Sequence, residues 1–277
     1  MLFASTALAA RIERAECRLL ADSAAAAEKR RPRSGVFVMP LAGGMATFTA
    51  AGSPLNKVAG LGFSGPLDEG ALEAVEKAFA DRSSPVQVEV SSLADPSVVR
   101  LLTGRGYVLQ GFENVSGRSL PADIPTAANT GLEIAVSPPE ELTHWLDVVV
   151  SGFASPDAQG VPSHESYPRD LLEAVMADMV AADGLSRYLA RRDGVPAGGA
   201  SLRLGEGIAL LCGAATLPEH RRRGVQGALL AARLRIAADA GCDVAVVTTQ
   251  PGSKSQENAH RQGFDLLYAR AILVRPV

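Results

Sequence analysis

This chain repeats itself, and that limits its fold more than any other feature it has. At one offset of 157 residues, the distance from Gly106 to Gly263, Gly106-Tyr107 falls on Gly263-Phe264. With no gaps, V-Q-V-E-V at 86–90 then meets D-V-A-V-V at 243–247, both of strand composition. The helical stretch Asp95–Arg105 meets Gly252–Gln262, and the closing strands Tyr107–Arg118 and Phe264–Arg275 end together. Upstream, the helical Glu69–Phe79 lies over Gln226–Ile236. A register shared across a whole β–α–β–α–β run is the mark of a duplicated structural unit. The chain of 277 residues is long enough for two ordinary domains. Segment 119–131, S-L-P-A-D-I-P-T-A-A-N-T-G, is rich in proline, small and polar residues and reads as a linker. The expected division is therefore a first domain at 1–120, a linker at 121–131 and a second domain at 132–277. The second opens with a short strand at Leu132–Val136. A helix should follow, capped near Ser137 with Glu140 at capping-box spacing and Trp145, Val148 and Val149 on its apolar side.

The copies differ at one point that matters chemically. In the second, the small-residue strand I-A-L-L-C-G-A-A-T at 208–216 passes through Leu217-Pro218-Glu219 into H-R-R-R-G-V-Q-G at 220–227. Strong helix formers then continue to about Ala240, and Gly241 offers a stop. A Gly-containing turn at a helix start aims several backbone N–H groups at one spot. The helix dipole and Arg221, Arg222 and Arg223 add positive charge there, which makes a cradle for a diphosphate. The competing reading is a solvated basic turn that merely starts a core helix. In the first copy the same place holds S-G-P-L-D-E-G at 64–70. Asp68 and Glu69 suit a helix N-terminus but would repel a phosphate. One phosphate-bearing ligand per chain is expected, held by the second copy.

Composition removes several classes. Net charge is −3, with 47% apolar and 21% charged residues, so any anion site is local and no global field invites nucleic acid or an anionic membrane. Cys17, Cys212 and Cys242 lie far apart without Cys/His ligand spacing, which argues against a disulfide framework and a metal site. They fit a reducing, cytoplasmic setting. The N-terminal M-L-F-A-S-T-A-L-A-A has no basic residue ahead of its short apolar run. Leu8, Ile12, Ala15 and Leu19 recur at helical spacing instead, predicting an amphipathic helix from about Ser5 to Ala27 rather than an export signal. No apolar run is long enough to span a membrane. The oligomeric state stays open, a homodimer included.

The residues x-P-E-H-R-R-R-G-V-Q-G-A-L-L at 217–230, followed by N-A-H-R-Q-G-F at 258–264, resemble the GNAT acetyltransferase superfamily. The resemblance covers 132–277 and reaches 1–118 only through the repeat, so the chain looks like a tandem pair with a degenerate first copy. It implies an α/β (α+β) fold of two GNAT-like domains, each a mixed, mostly antiparallel sheet flanked by helices. It also implies acetyl-CoA as co-substrate. The diphosphate would lie on the amides of Arg222, Arg223, Gly224, Val225, Gln226 and Gly227. The pantetheine would pair with the strand edge at Ala215, Thr216 and Leu217, and Asn258 would hydrogen-bond the cofactor. A strand amide usually supports the tetrahedral oxyanion. Two departures stand out. Arg222 and Gln226 occupy places where glycine or alanine is common, and Ala259 stands where many members carry a tyrosine that protonates the departing thiolate.

Acetyl transfer to an amine needs a base or a water relay. In the family a glutamate on the strand before the cradle often serves, but 208–216 holds no carboxylate. The segment F-A-S-P-D-A-Q-G-V-P-S-H-E-S-Y-P-R-D at 153–170 offers Asp157, His164, Glu165 and Tyr167, unless it is only a polar surface loop that starts a helix near Pro168. Glu165 is the candidate base, and His260 the candidate assistant to the leaving thiol. His220 is expected to face solvent. Cys212 reads as a core thiol rather than a nucleophile, and Tyr268 as a core or edge residue. The leading expectation is an acetyl-CoA-dependent N-acetyltransferase acting on a small amine by direct attack in a ternary complex. The alternative is a non-catalytic acyl-CoA-binding sensor or regulatory module.

Overall fold

The computed structural model describes residues 1–121, 131–155, 161 and 167–277. Seven α-helices and eleven strands are present among them, and they group into two compact units. No helix among the described residues is long and apolar enough to cross a membrane.

The first unit comprises Phe3–Asn114 together with Leu267–Val277. Helix α1 (Thr6–Arg30) is capped by Ser5, whose side chain accepts from Leu8 N–H at 3.1 Å. It buries Ile12, Ala15 and Leu19, the stripe expected from its periodicity. Strands β1 (Phe37–Leu41), β2 (Gly44–Phe48) and β3 (Lys57–Ala59) form an antiparallel meander. Helix α2 (Glu69–Ala80) then leads to β4 (Val86–Ser91), which runs parallel to β3. Helix α3 (Pro96–Gly104) and strand β5 (Val108–Ser119) follow. Phe37, Phe48 and Phe79 pack ring against ring under this sheet, with Leu72 and Val75 of α2 fully buried beside them.

The second unit comprises Val115–Leu266 with Met1–Leu2. Its strands are β6 (Leu132–Val136), β7 (Leu185–Arg192), β8 (Val195–Gly205), β9 (Ile208–Thr216) and β10 (Val244–Thr249). They lie in the order β10-β9-β8-β7-β6, antiparallel except for the parallel pair β9/β10. Helices α4 (Leu142–Ala154), α5 (Arg169–Val180), α6 (Val225–Asp239) and α7 (Lys254–Arg261) flank them. The core joins Leu229, Leu230 and Leu234 of α6 to Ala197, Ala200 and Leu202 of β8 and to Phe264. Trp145 is packing, fully buried, with its indole N–H donated to the Tyr188 carbonyl at 3.1 Å.

The repeat is visible as the same element order in both halves: α2-β4-α3-β5 against α6-β10-α7-β11, where β11 is Asp265–Arg275. The compact units differ from a single cut at 120–132 in one respect. From Leu267 onward, β11 belongs with the first unit, paired antiparallel to β4 from Arg270↔Ser91 to Arg275↔Val86. Val115–Ser119 of β5 belongs with the second, next to β10. Each copy thus gives the last part of its closing strand, Val115–Ser119 of β5 or Leu267–Arg275 of β11, to the other unit. The capping box expected at Ser137 does not form. A 3-10 turn at Pro139–Glu141 intervenes, α4 begins after Glu141 without a side-chain cap, and the Ser137 hydroxyl is buried without a partner.

Candidate active site

Two parallel strands part company in the second unit. β9 and β10 pair only from Ile208↔Val244 to Leu210↔Val246, yet β9 runs on to Thr216 and β10 to Thr249. Beyond Leu210 the facing edges have no register with each other, and Cys212, Gly213 and Ala214 along that edge are half-buried. The parting begins at a bulge. On its other side β9 pairs with β8 as Ser201↔Cys212 and then Gly199↔Ala215, so the register shifts between them. Gly213 sits in the shift at φ +56°, and a Cβ there would stand 2.7 Å from the Ser201 hydroxyl. Only glycine meets both demands.

The parted edge leads into the start of α6. Gly224 is its N-cap at φ 81°, a left-handed conformation that offers no side-chain acceptor. The first helical hydrogen bond runs from Ala228 N–H to the Gly224 carbonyl at 2.9 Å. The N–H groups of Val225, Gln226 and Gly227 therefore lie outside the ladder, at the positive end of a fifteen-residue helix. Arg222 is also left-handed, at φ 59°, which explains why a glycine suits that position. The side chains of Arg222 and Arg223 are exposed, and Gln226 and Gly227 are half-buried.

Arg221 does something else. Its guanidinium donates to the carbonyls of Thr216 (3.4 Å), Gly152 (3.3 Å) and Ser155, tying the turn to the C-terminal end of α4. That correction has a simple cause. The exposed carbonyls at a helix end compete for the nearest cation. Leu217 is committed as well: its N–H donates to Ala197 at 3.0 Å and its carbonyl accepts from His220 at 2.9 Å. Of the three residues expected to meet pantetheine, Ala215 and Thr216 remain on the parted edge, and the Thr216 hydroxyl is buried without a partner. His220 is half-buried rather than turned to solvent, with Nδ1 buried and unpartnered.

Across the gap, β10 feeds α7, capped by Ser253 through Gln256 N–H at 3.2 Å. Asn258 is half-buried on α7, and Ala259 is 1% exposed within the core, so that position presents no proton donor. His260 is exposed and lines a shallow recess with Gly252, Ser253, Lys254, Gln256 and Glu257. Val161 returns to the same corner, its N–H donating to the Gly252 carbonyl at 3.1 Å. Glu165, with Asp157 and His164, lies outside the described residues. Tyr268 belongs to the first unit, where its hydroxyl donates to Glu13 at 2.7 Å and burial drives its pKa up.

Sequence reasoning overlooked Arg233. It lies in α6, 1% exposed, and its acceptors are backbone carbonyls: Leu229 (3.1 Å), Ser201 (2.9 Å) and Cys212 (3.4 Å). Burial pulls its pKa down to about 10. A lone arginine inside A-L-L-A-A-R-L at 228–234, four residues after buried Leu229, was the available signal.

The first unit's equivalent helix start is closed. Asp68 caps α2, its carboxylate accepting from Ala71 N–H at 2.7 Å, and Glu69 fills the first turn. Lys57 and Glu89 form an ion pair between β3 and β4. At the offset of 157 they correspond to Ala214 and Val246, beside the parting strands of the second unit.

Residues 153–264 match the Acetyltransferase (GNAT) family model. That stretch, inside the second copy of the repeat, is what the chain shares with GNAT acetyltransferases. No curated protein matches it. Among solved structures, it resembles a GCN5-related N-acetyltransferase from Kribbella flavida at 23% identity and a TM-score of 0.67, over 97% of this chain and 95% of that one. A tandem GNAT protein from the clavulanic acid biosynthesis pathway is similar at 14% identity and a TM-score of 0.57, over 84% and 78%. A GCN5-related N-acetyltransferase from Sphaerobacter thermophilus follows at 16% and 0.56, over 74% and 66%. These likenesses establish a GNAT fold that occurs in tandem form.

Proposed function

We propose that the second unit binds acetyl-CoA and transfers its acetyl group to a small amine, with both substrates bound at once. The observation that carries this reading is the uncapped, glycine-started N-terminus of α6 at the end of a strand that has parted from its neighbour. The N–H groups of Val225, Gln226 and Gly227, with the turn from Arg222 before them, suit a diphosphate, and the edge from Cys212 to Thr216, half-buried except at Ala215, suits an amide-bearing arm. Asn258 is the cofactor contact from α7. A thioester is already activated, so placing the amine against its carbonyl supplies much of the rate. Glu165 is the proposed base and His260 the proposed donor to the thiolate. The proposed setting is a reducing, cytoplasmic one, where thiols such as Cys17, Cys212 and Cys242 persist.

A second reading, an acyl-CoA-binding sensor without turnover, draws on the carboxylate-free β9 and the core position of Ala259. Titration calorimetry with coenzyme A, beside thiol release from acetyl-CoA against polyamines, amino acids and aminoglycosides, separates them. Binding with release to at least one amine is expected. Binding without release to any acceptor supports the sensor, and no binding removes both.

A further inference from the structure

We propose that Arg233 is a positioning residue for acyl transfer, orienting and polarising the peptide between Cys212 and Gly213 so that its N–H faces the parted edge of β9. The inference rests on the reading above, that a thioester lies along that edge.

The argument starts from peptide geometry. In a planar trans peptide the C=O and the N–H point in opposite directions. The Cys212 carbonyl is held from two sides, by the Ser201 hydroxyl of β8 at 3.0 Å and the Arg233 guanidinium of α6 at 3.4 Å. It therefore points toward β8 and α6, and the Gly213 N–H of the same peptide points the other way, toward the side where β10 has left. Nη1 of Arg233 also binds the Ser201 carbonyl at 2.9 Å, so one nitrogen clamps both members of the last cross-strand pair before the bulge. The left-handed Gly213 is what lets the chain turn there.

Electrostatics adds a reason for an arginine rather than an apolar residue. A buried cation is costly unless it is compensated, and three carbonyl dipoles compensate only in part. The remaining field falls on the neighbouring peptide. It strengthens the Gly213 N–H as a donor and stabilises negative charge that develops beside it. In the transfer, the amine nitrogen bonds to the thioester carbonyl carbon and the C=O electron pair moves onto oxygen. That pair then returns, the C–S bond breaks, and the amine's proton ends on the thiolate sulfur. The oxygen carries its charge only between those events, which is when the polarised N–H matters.

The test uses the full chain, with Arg233→Met and Arg233→Lys beside wild type. Coenzyme A is the binding probe. Turnover is thiol release from acetyl-CoA with whichever acceptor the wild type uses fastest among spermidine, kanamycin and lysine, or water. Arg233→Met should bind coenzyme A within about 3-fold of wild type while kcat falls about 100-fold, the scale of a lost oxyanion donor, with KM for acetyl-CoA nearly unchanged. Arg233→Lys should recover about a tenth of wild-type kcat, because a lone ammonium keeps the charge but has no counterpart of the Nε bond to the Leu229 carbonyl that fixes the guanidinium in place. Unchanged kcat in Arg233→Met, or a parallel fall in affinity and kcat, overturns the proposal. If Arg233→Met does not fold, Arg233→Lys decides, and wild-type kcat in that variant overturns it. A wild type that neither binds coenzyme A nor releases thiol defeats the functional reading, and this inference with it; wild-type turnover that the variants match defeats this inference alone.

Discussion

Three adjacent arginines share one charge and do different work. Arg221 is bound to three carbonyls, so Arg221→Ala should cost stability, about 1–2 kcal/mol for lost hydrogen bonds from a charged donor. Arg223 is exposed, so Arg223→Ala should leave urea denaturation unchanged while weakening coenzyme A about 3- to 10-fold, more at low salt. Equal stability losses in the two variants would contradict that division. Composition at 221–223 revealed the charge but not its direction, because direction depends on α4, whose carbonyls are distant in sequence. The same limit hid Arg233, which is legible only as an odd polar letter in an apolar run. Glycines were more telling. Gly224 stood where a helix must start without a side-chain cap. Gly213, a lone glycine inside a strand, is the usual sign of a bulge, a signal the sequence reading missed.

Among the elements, the decisive comparison is between two helix starts built on one plan. α2 has a side-chain cap, Asp68 accepting from the Ala71 N–H, whereas α6 has none. The Gln226→Glu variant moves α6 toward the first copy's chemistry. A carboxylate in the first turn favours the helix dipole by about 0.3–1 kcal/mol, so the melting temperature should hold or rise. The same charge repels a diphosphate, so coenzyme A affinity should fall at least about 10-fold. Thermal melts and calorimetry on one preparation read both, and an unchanged affinity would remove the cradle from the account. The helices and strands within the repeat, 69–118 and 226–275, were legible in sequence because each copy supported the other, and α1 was legible from its own apolar periodicity. The expected Glu69–Phe79 is helix Glu69–Ala80, and the expected helix from Ser5 begins at Thr6. Ser137 misled because a capping-box spacing says nothing of the proline at 139, which starts a 3-10 turn instead.

For the molecule as a whole, the lesson lies in the closing strands. β5 and β11 correspond in the repeat and both read as strands, but which neighbour each pairs with is a tertiary choice that no local pattern encodes. The exchange has a consequence. Arg270 of β11 meets Glu13 of α1 at 2.8 Å, both side chains 2% exposed or less, and breaking such a pair costs about 3–5 kcal/mol. A fragment ending at residue 120 lacks that strand and should show no cooperative thermal transition by circular dichroism, whereas the full chain should. A sharp transition in the fragment would contradict the assignment of Leu267–Val277 to the first unit.

One measurement bears on the central claim most directly: a crystal structure of the full chain with coenzyme A. It should contain one coenzyme A per chain. The diphosphate oxygens should lie within hydrogen-bond distance of the N–H groups at the start of α6, with the pantetheine along Cys212 to Thr216. Coenzyme A bound at the start of α2, or leaving Val225, Gln226 and Gly227 untouched, would contradict the account.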